Sequence, residues 1–314
     1  MHSGLTRIAL TLTCAFGAVG AEASDHWAFQ PVTRPSVPAV SGAAWPSGAL
    51  DHFVLAKLRE NGMQPARRAG RRTLIRRVTL DLTGLPPTPG EVDAFVAADS
   101  PGAYRRLVER VLASPRFGER WGRHWLDVAR YADTKGYLAG NQARLFTHSY
   151  TYRDYVIDAF NADLPYDRFI IEQVAADKLE LGDDKQPLAA MGFLTLGRRF
   201  LNNPHDIIDD RIDVVTRGMM GLTVSCARCH DHKFDPISQA DYYSLYATFS
   251  GIRHKSAPLT TPAMIAERAA KLKPLNERTA KLDAAQKAIM KNVMKRADSK
   301  LDDYEAQWTR PATD

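Results

Sequence analysis

The chain has 314 residues, of which 45% are hydrophobic, and it carries a formal net charge of +6. This length allows one large domain or two small ones, with ample apolar content for a buried core. The basic residues are scattered apart from an arginine cluster at 67–77, and because no aromatic residues interleave with that cluster, we predict no nucleic-acid binding.

The first 23 residues have the pattern of a secretory signal peptide. Arg7 provides a positive start, Ile8–Gly20 an apolar segment, and Ala21–Ala23 a small-residue cleavage site. The apolar segment is shorter than the roughly 20 residues that span a bilayer, although an uncleaved N-terminal anchor is the alternative. We therefore expect a periplasmic or otherwise extracytoplasmic protein that begins at Ser24 and has no membrane span after cleavage.

Residues 24–48 are rich in proline and predict an extended arm. From residue 49 the apolar residues recur with helical spacing. Thr88–Glu91 combines a threonine N-cap, a proline at the first helical position and a glutamate at the third, which predicts a helix start. The spacing predicts helices at about 50–61, 74–82, 89–98, 101–112, 115–131, 151–161, 166–179, 187–196, 206–222 and 239–249.

No segment shows sustained alternation of apolar and polar residues, and residues 136–149 have the composition of a loop. The predicted fold class is mainly α. We expect an irregular multi-helix domain over residues 49–254, followed by a long C-terminal coiled-coil-like helix within residues 262–310.

The predicted C-terminal helix has an apolar stripe. Leu275, Leu282, Ile289 and Val293 are separated by three, four or seven residues, and lysines and acidic residues fill many of the positions between them. Such a helix can pack back on the domain, pair with a coiled-coil partner, or connect to a further domain.

Cys226, Cys229 and His230 form C-x-x-C-H, the attachment pattern of a c-type haem. The two thiols can form thioethers to the haem vinyl groups, and the imidazole can bind the iron. Apart from Cys14, which lies in the apolar segment of the signal, these are the only cysteines. We predict haem c as the cofactor and electron transfer or redox sensing as the function, with an unidentified redox partner protein.

A second axial ligand to the iron would be a methionine or histidine from elsewhere in the fold. His124 lies on an aromatic-rich helix and shares a face with Trp121 and Tyr131, which suits a haem wall; a histidine hydrogen-bonded to Asp127 is the alternative. The full set of candidates is His124, His205, His232, Met191, Met219 and Met220.

Zinc is the rival cofactor. Cys226 and Cys229 with His230 or His232 supply three ligands, and the fourth can be Asp231, Asp235 or a distant histidine. The cysteines and histidines of this motif are almost contiguous, however, and would crowd a tetrahedron. The chain would then be a non-redox binding or scaffold module. Thiol–disulfide exchange by the cysteine pair ranks last. No G-x-S-x-G or H-E-x-x-H motif is present, so we predict no catalytic residues.

Several long motifs together resemble one family, the planctomycete-type cytochrome c-like domain of otherwise unknown function. These motifs are His26–Pro31, Arg72–Pro89, Arg116–Trp121, His124–Asp133 and Cys226–Ile237. The resemblance covers residues 26–252. It implies an exported, haem-bearing protein of Planctomycetes or related bacteria, encoded near sulfatases and polysaccharide-degrading enzymes, and hence a role linked to polysaccharide breakdown.

The resemblance also marks Cys226, Cys229 and His230 as the haem site. Longer members carry a preceding small cytochrome-like domain and continue into a second large domain, which implies that the C-terminal helix here is a connector. It further places His124, His232 and Asp235 inside family motifs without giving them roles.

Overall fold

The computed structural model of the chain describes residues 27–40, 45–138, 140, 143–253 and 255–308. The signal-peptide pattern, the start of the proline-rich arm and the last six residues lie outside the described residues. The expected mainly α fold is confirmed. Within the described part of the chain, the only β-type pairing is an isolated bridge between Thr134 and Leu145.

Eleven α-helices follow one another in the described residues: α1 (Ala49–Glu60), α2 (Arg71–Thr83), α3 (Pro89–Ala97), α4 (Ala103–Leu112), α5 (Pro115–Val128), α6 (Ser149–Asn161), α7 (Tyr166–Ala175), α8 (Gly192–Thr195), α9 (Pro204–Val215), α10 (Gln239–Ser250) and α11 (Pro262–Trp308). Short 3₁₀ segments connect some of them, and a π-helical turn follows α9. No helix among these combines the length and apolar character needed to cross a membrane.

The chain divides into two compact units. The described residues up to Leu112 form the first unit together with Arg211–Gly251, and Ala113–Asp210 forms the second together with the described residues from Ile252 onward. The C-x-x-C-H motif lies in the first unit and α11 lies in the second.

The core of the first unit is formed where α2, α3 and α4 pack together. Arg71 belongs to the arginine cluster, yet its guanidinium donates to the carbonyls of Phe95 and Ala98 and lies 4.3 Å from the centre of the Phe95 ring. It therefore joins α2 to the end of α3. The buried core residues are Ile75, Val78, Phe95, Ala103, Leu107 and Val111.

In the second unit, α5 and α6 approach very closely. A Cβ atom at Gly118 would lie 2.4 Å from the carbonyl oxygen of Ile157, so only glycine permits this contact. In the same unit, the buried Tyr152 hydroxyl donates to Gln173 Oε1 (2.7 Å) and accepts from Trp125 Nε1 (3.1 Å). Burial raises the pKa of Tyr152, which keeps this hydroxyl protonated as a donor.

Two predicted helices differ from those in the structure. The 187–196 segment is a 3₁₀ helix, Gln186–Met191, followed by the single turn of α8. The 206–222 segment ends as α9 at Val215 and continues as the π-helical turn Thr216–Met220, which Gly221 terminates in the left-handed conformation at φ 71°. The predicted long C-terminal helix is confirmed: it begins at Pro262 and runs through Pro274.

The start of α3 has the hydrogen bonds that its sequence predicted. Glu91 N donates to Thr88 Oγ1 (3.3 Å), and Thr88 N donates to Glu91 Oε2 (2.8 Å). Hydrogen bonds from the Thr88 backbone, then from Arg110 and the Thr88 hydroxyl, lower the pKa of Glu91 to about 2 from an ordinary 4.5. Because the pKa is lower in the folded state, this stabilisation is complete above the ordinary value and is lost as the pH falls through about 2.

We predict that Glu91→Gln lowers the free energy of unfolding near neutral pH by about 0.5–1 kcal/mol, a modest value because the carboxylate is about one-third exposed and water screens its charge. The loss should shrink as the pH falls from about 4.5 towards 2. Urea denaturation at a series of pH values measures it. Glu109→Gln is the matched control, since Glu109 forms only an exposed pair with Arg105. Equal pH profiles for the two variants would contradict the prediction.

Candidate functional site

The two cysteines of the C-x-x-C-H motif lie on a 3₁₀ turn, Val224–Arg228, with Cys229 at its end. Residues three apart are eclipsed in this geometry. Val224 and Ala227 accordingly face the interior and are buried, whereas Cys226 and Cys229 are exposed. Both thiols are therefore exposed, and both are free rather than joined in a disulfide.

The chain after the motif is fixed to the start of α10. Asp231 Oδ1 accepts from the backbone N–H of Gln239 (2.8 Å), the first residue of that helix. The carbonyl of Arg228 accepts from the Gln239 side chain and from the Tyr243 hydroxyl, both at 3.3 Å. These bonds hold the C-terminal end of the 3₁₀ turn against the first turn of α10.

The start of α10 is itself well capped. Asp241 N donates to Ser238 Oγ (3.1 Å), and Ser238 N donates to Asp241 Oδ2 (2.8 Å). Hydrogen bonds from the side chain and backbone of Ser238 lower the pKa of Asp241. The N-terminus of α10, to which the motif is hydrogen-bonded, is thus fixed by hydrogen bonds between Ser238 and Asp241.

His232 occupies the centre of the loop between the 3₁₀ turn and α10, with 6% of its side chain exposed. Its Nδ1 accepts from the backbone N–H groups of Asp235 (2.9 Å) and Phe234 (3.3 Å). Because an amide N–H can only donate, Nδ1 carries no proton, and the neutral ring therefore donates from Nε2 to Thr223 Oγ1, 3.0 Å away. Its backbone N–H also donates to the carbonyl of Ile237 (2.8 Å).

His230 has the opposite arrangement. Its Nδ1 lies 2.7 Å from the carbonyl oxygen of Asp231, which can only accept, so Nδ1 carries the proton. The Nε2 lone pair is then available on an exposed side chain. A ligand histidine usually donates its other ring N–H to a carbonyl or carboxylate, and His230 makes this contact within its own loop.

The surface of the first unit near this loop includes large apolar side chains. Phe234 is 81% exposed, Met220 63% and Tyr243 50%. Exposed apolar groups of this size suit contact with an apolar cofactor or another protein. In addition, the buried Oγ of Ser225, which precedes Cys226, has no hydrogen-bond partner among the described residues.

Of the two loop histidines that the sequence proposed as metal ligands, His230 is the one with a ring nitrogen, Nε2, that no described residue hydrogen-bonds. A metal bound by His232 would have to displace Thr223 or the two amide donors. Asp235 Oδ2 lies 3.4 Å from His232 Nδ1, and Asp235 contributes its backbone to the same loop. In the part of the chain that the structure describes, no three His, Cys, Asp or Glu side chains converge on a single metal position.

The candidate second axial ligands are divided between the two units. His124 belongs to the second unit, where it is exposed on α5 with its ring 5.5 Å from that of Trp121. His205 and Met191 also belong to that unit. Met219 and Met220 lie in the π-helical turn of the first unit, just before the motif.

Three contributors to this site were not identified from the sequence: Thr223, Gln239 and Tyr243. Each acts through a contact across nine to fifteen residues, and no local pattern marks such partners. The capping box at Ser238 was the available signal, because it fixes where α10 begins.

We predict that His232→Phe lowers the free energy of unfolding by about 1–3 kcal/mol, because it removes the three hydrogen bonds that the nearly buried ring forms with Thr223, Phe234 and Asp235. His230→Phe, the matched control two positions away, should change it by less than about 0.5 kcal/mol, since His230 is exposed. Urea denaturation measures both, and faster hydrogen exchange of the Asp235 amide in His232→Phe would locate the change. A larger loss for His230→Phe would disprove this assignment of roles.

Comparison with known proteins identifies the family but gives no activity. A family model described as "Protein of unknown function (DUF1549)", PSCyt2, matches residues 49–254, more than half of the chain. No curated protein and no solved structure matches. The chain therefore belongs to the PSCyt2 family of proteins of unknown function.

Proposed function

We propose that this chain is an exported c-type haem protein that transfers electrons or senses redox state. Cys226 and Cys229 would hold the haem, and His230 would be its proximal ligand. The observation that carries the proposal is the contrast between the two histidines of the loop. His232 has both ring nitrogens bonded within the protein, whereas His230 has a free Nε2 beside two exposed thiols.

The residues of the C-x-x-C-H motif fit a c-type haem. Each thiol would add across one vinyl group, so that a sulfur–carbon bond forms, the thiol hydrogen passes to the other vinyl carbon, and no oxidant is consumed. The exposure of both cysteines at and just after the 3₁₀ turn supports this role, because both sulfurs are accessible to a cofactor. When bound, haem would supply one-electron exchange at iron.

Asp231 would tune the proximal ligand. Its carbonyl accepts the Nδ1 proton of His230, which fixes the tautomer and makes Nε2 a better donor to a metal. Its side chain accepts from Gln239, so this residue also ties His230 to α10. The imidazole is thereby oriented by protein contacts that exist without any cofactor.

The exposure of the site supports exchange with a partner. Both cysteines and His230 lie at the surface of the first unit, and Phe234 and Lys233 beside them are also exposed. A redox partner could therefore approach closely. The signal-peptide pattern supports placement outside the cytoplasm, where c-type haem is attached in bacteria. The link to polysaccharide breakdown remains a prediction from the family resemblance.

A structural zinc site in a non-redox scaffold module is the second candidate, because two free thiols and His230 share one short loop. Zinc requires about four donors at one point. The described residues contain no such convergence, whereas thioether attachment requires none, since each sulfur bonds to a different vinyl group. The geometry therefore favours haem.

Production of the chain, with its N-terminal segment, in a host that matures c-type cytochromes tests the proposal. We expect a Soret band and a denatured mass about 0.6 kDa above that of the polypeptide, because the haem is covalently bound. Cys226→Ser/Cys229→Ser should lose the added mass, and Ser225→Ala on the same turn should keep it. His230→Phe should keep the mass but alter the spectrum.

A colourless protein with the polypeptide mass and free thiols would contradict the haem proposal. If one equivalent of zinc is then found by elemental analysis, and Cys229→Ser lowers both the zinc content and the thermal midpoint, the scaffold function replaces it.

A further inference from the structure

The helix α11 presents a mainly apolar stripe to solvent. Large side chains along it are exposed, from 37% at Leu272 to 87% at Trp308. An exposed apolar surface of this length typically marks a protein–protein contact, because covering it removes apolar area from water.

The stripe has a regular heptad register. Core positions alternate by three and four residues through Leu272, Leu275, Thr279, Leu282, Gln286, Ile289 and Val293. Leu275, Leu282 and Ile289 occupy the d positions, and Leu272, Thr279, Gln286 and Val293 the a positions. The register shifts by one residue after Val293, where Ala297, Leu301, Tyr304 and Trp308 continue the stripe.

We propose that α11 pairs with α11 of a second copy of this chain as a parallel, in-register coiled coil. The proposal does not depend on haem binding. Two independent features of the register favour this partner and this orientation over the other ways in which the stripe could be covered.

The first feature is the polar residues within the stripe. In a parallel pair each a position faces the same a position of the partner, so Gln286 meets Gln286 and Thr279 meets Thr279, and both can hydrogen-bond across the interface. In an antiparallel pair a positions face d positions, and Gln286 would lie against leucine or isoleucine with its amide unpaired. A buried polar a position is a known device for fixing register.

The second feature is the charge at the flanking positions. Arg278 is a g position and Asp283 is the following e position, and these two face each other across a parallel pair. The twofold symmetry forms the contact twice. At the next pair of g and e positions, Ala285 and Met290 are both apolar, so the apolar stripe is wider there.

Sedimentation equilibrium of the chain tests the association. We expect a reversible monomer–dimer equilibrium that Leu282→Asp/Ile289→Asp weakens at least tenfold. The control Ala284→Asp/Ala288→Asp adds the same charges outside the core positions and should leave it within about threefold, the scale expected for exposed charges. Circular dichroism would verify that all forms remain helical.

Cross-linking tests the orientation. In a Cys226→Ser/Cys229→Ser background, Val293→Cys should form a disulfide-linked dimer on mild oxidation, because equivalent a positions lie close together only in a parallel pair. Lys291→Cys, two residues away at an outward f position, should cross-link at least tenfold more slowly. Arg278→Glu and Asp283→Arg should each weaken the dimer, and the double variant should restore it.

A chain that is monomeric at all accessible concentrations would overturn the proposal, and so would a dimer that fails to cross-link at Val293. Equal cross-linking at Val293 and Lys291 would also count against it. These outcomes are separate from the spectrum and mass of the cofactor, so the two proposals can fail independently.

Discussion

The candidate site depends on the hydrogen bonds of one nearly buried imidazole, that of His232. Its ring connects Thr223, just before the C-x-x-C-H motif, with Asp235, just after it. A buried ring with two nitrogens is costly unless both are paired, and here both are. These hydrogen bonds join the segments before and after the motif. The thiols and His230 lie on the exposed side of the resulting loop.

The site shows how one residue type can take two roles two positions apart. His230 donates from Nδ1 to the carbonyl of Asp231, and no described residue bonds its Nε2. His232 instead accepts two backbone N–H groups at Nδ1 and donates from Nε2 to the Thr223 hydroxyl. The difference comes from the partners that the loop offers and not from the histidines themselves. The hydrogen bonds thus distinguish a histidine that keeps one ring nitrogen unbonded from a histidine that is bonded within the loop at both nitrogens.

Much of the fold follows from local signals. The capping boxes at Thr88 and Ser238 mark the starts of α3 and α10 because they satisfy backbone donors within four residues. The structure departs from the helices predicted from sequence where contacts between residues far apart in the chain determine the local conformation. A Cβ at Gly192, in the segment expected to be one regular helix, would lie 2.4 Å from the Tyr152 ring. Likewise Arg130 and Asp210, eighty residues apart, form a largely buried ion pair that no spacing rule indicates.

The sequence by itself determined the mainly helical class, most helix boundaries, the C-x-x-C-H spacing and the apolar stripe, because each depends on residues only a few positions apart. Only the tertiary structure decided that the chain forms two units, that the two thiols lie exposed on a 3₁₀ turn, and that His230 rather than His232 keeps a free lone pair. Burial and hydrogen-bond partners come from segments that meet in space, and a linear pattern does not contain them.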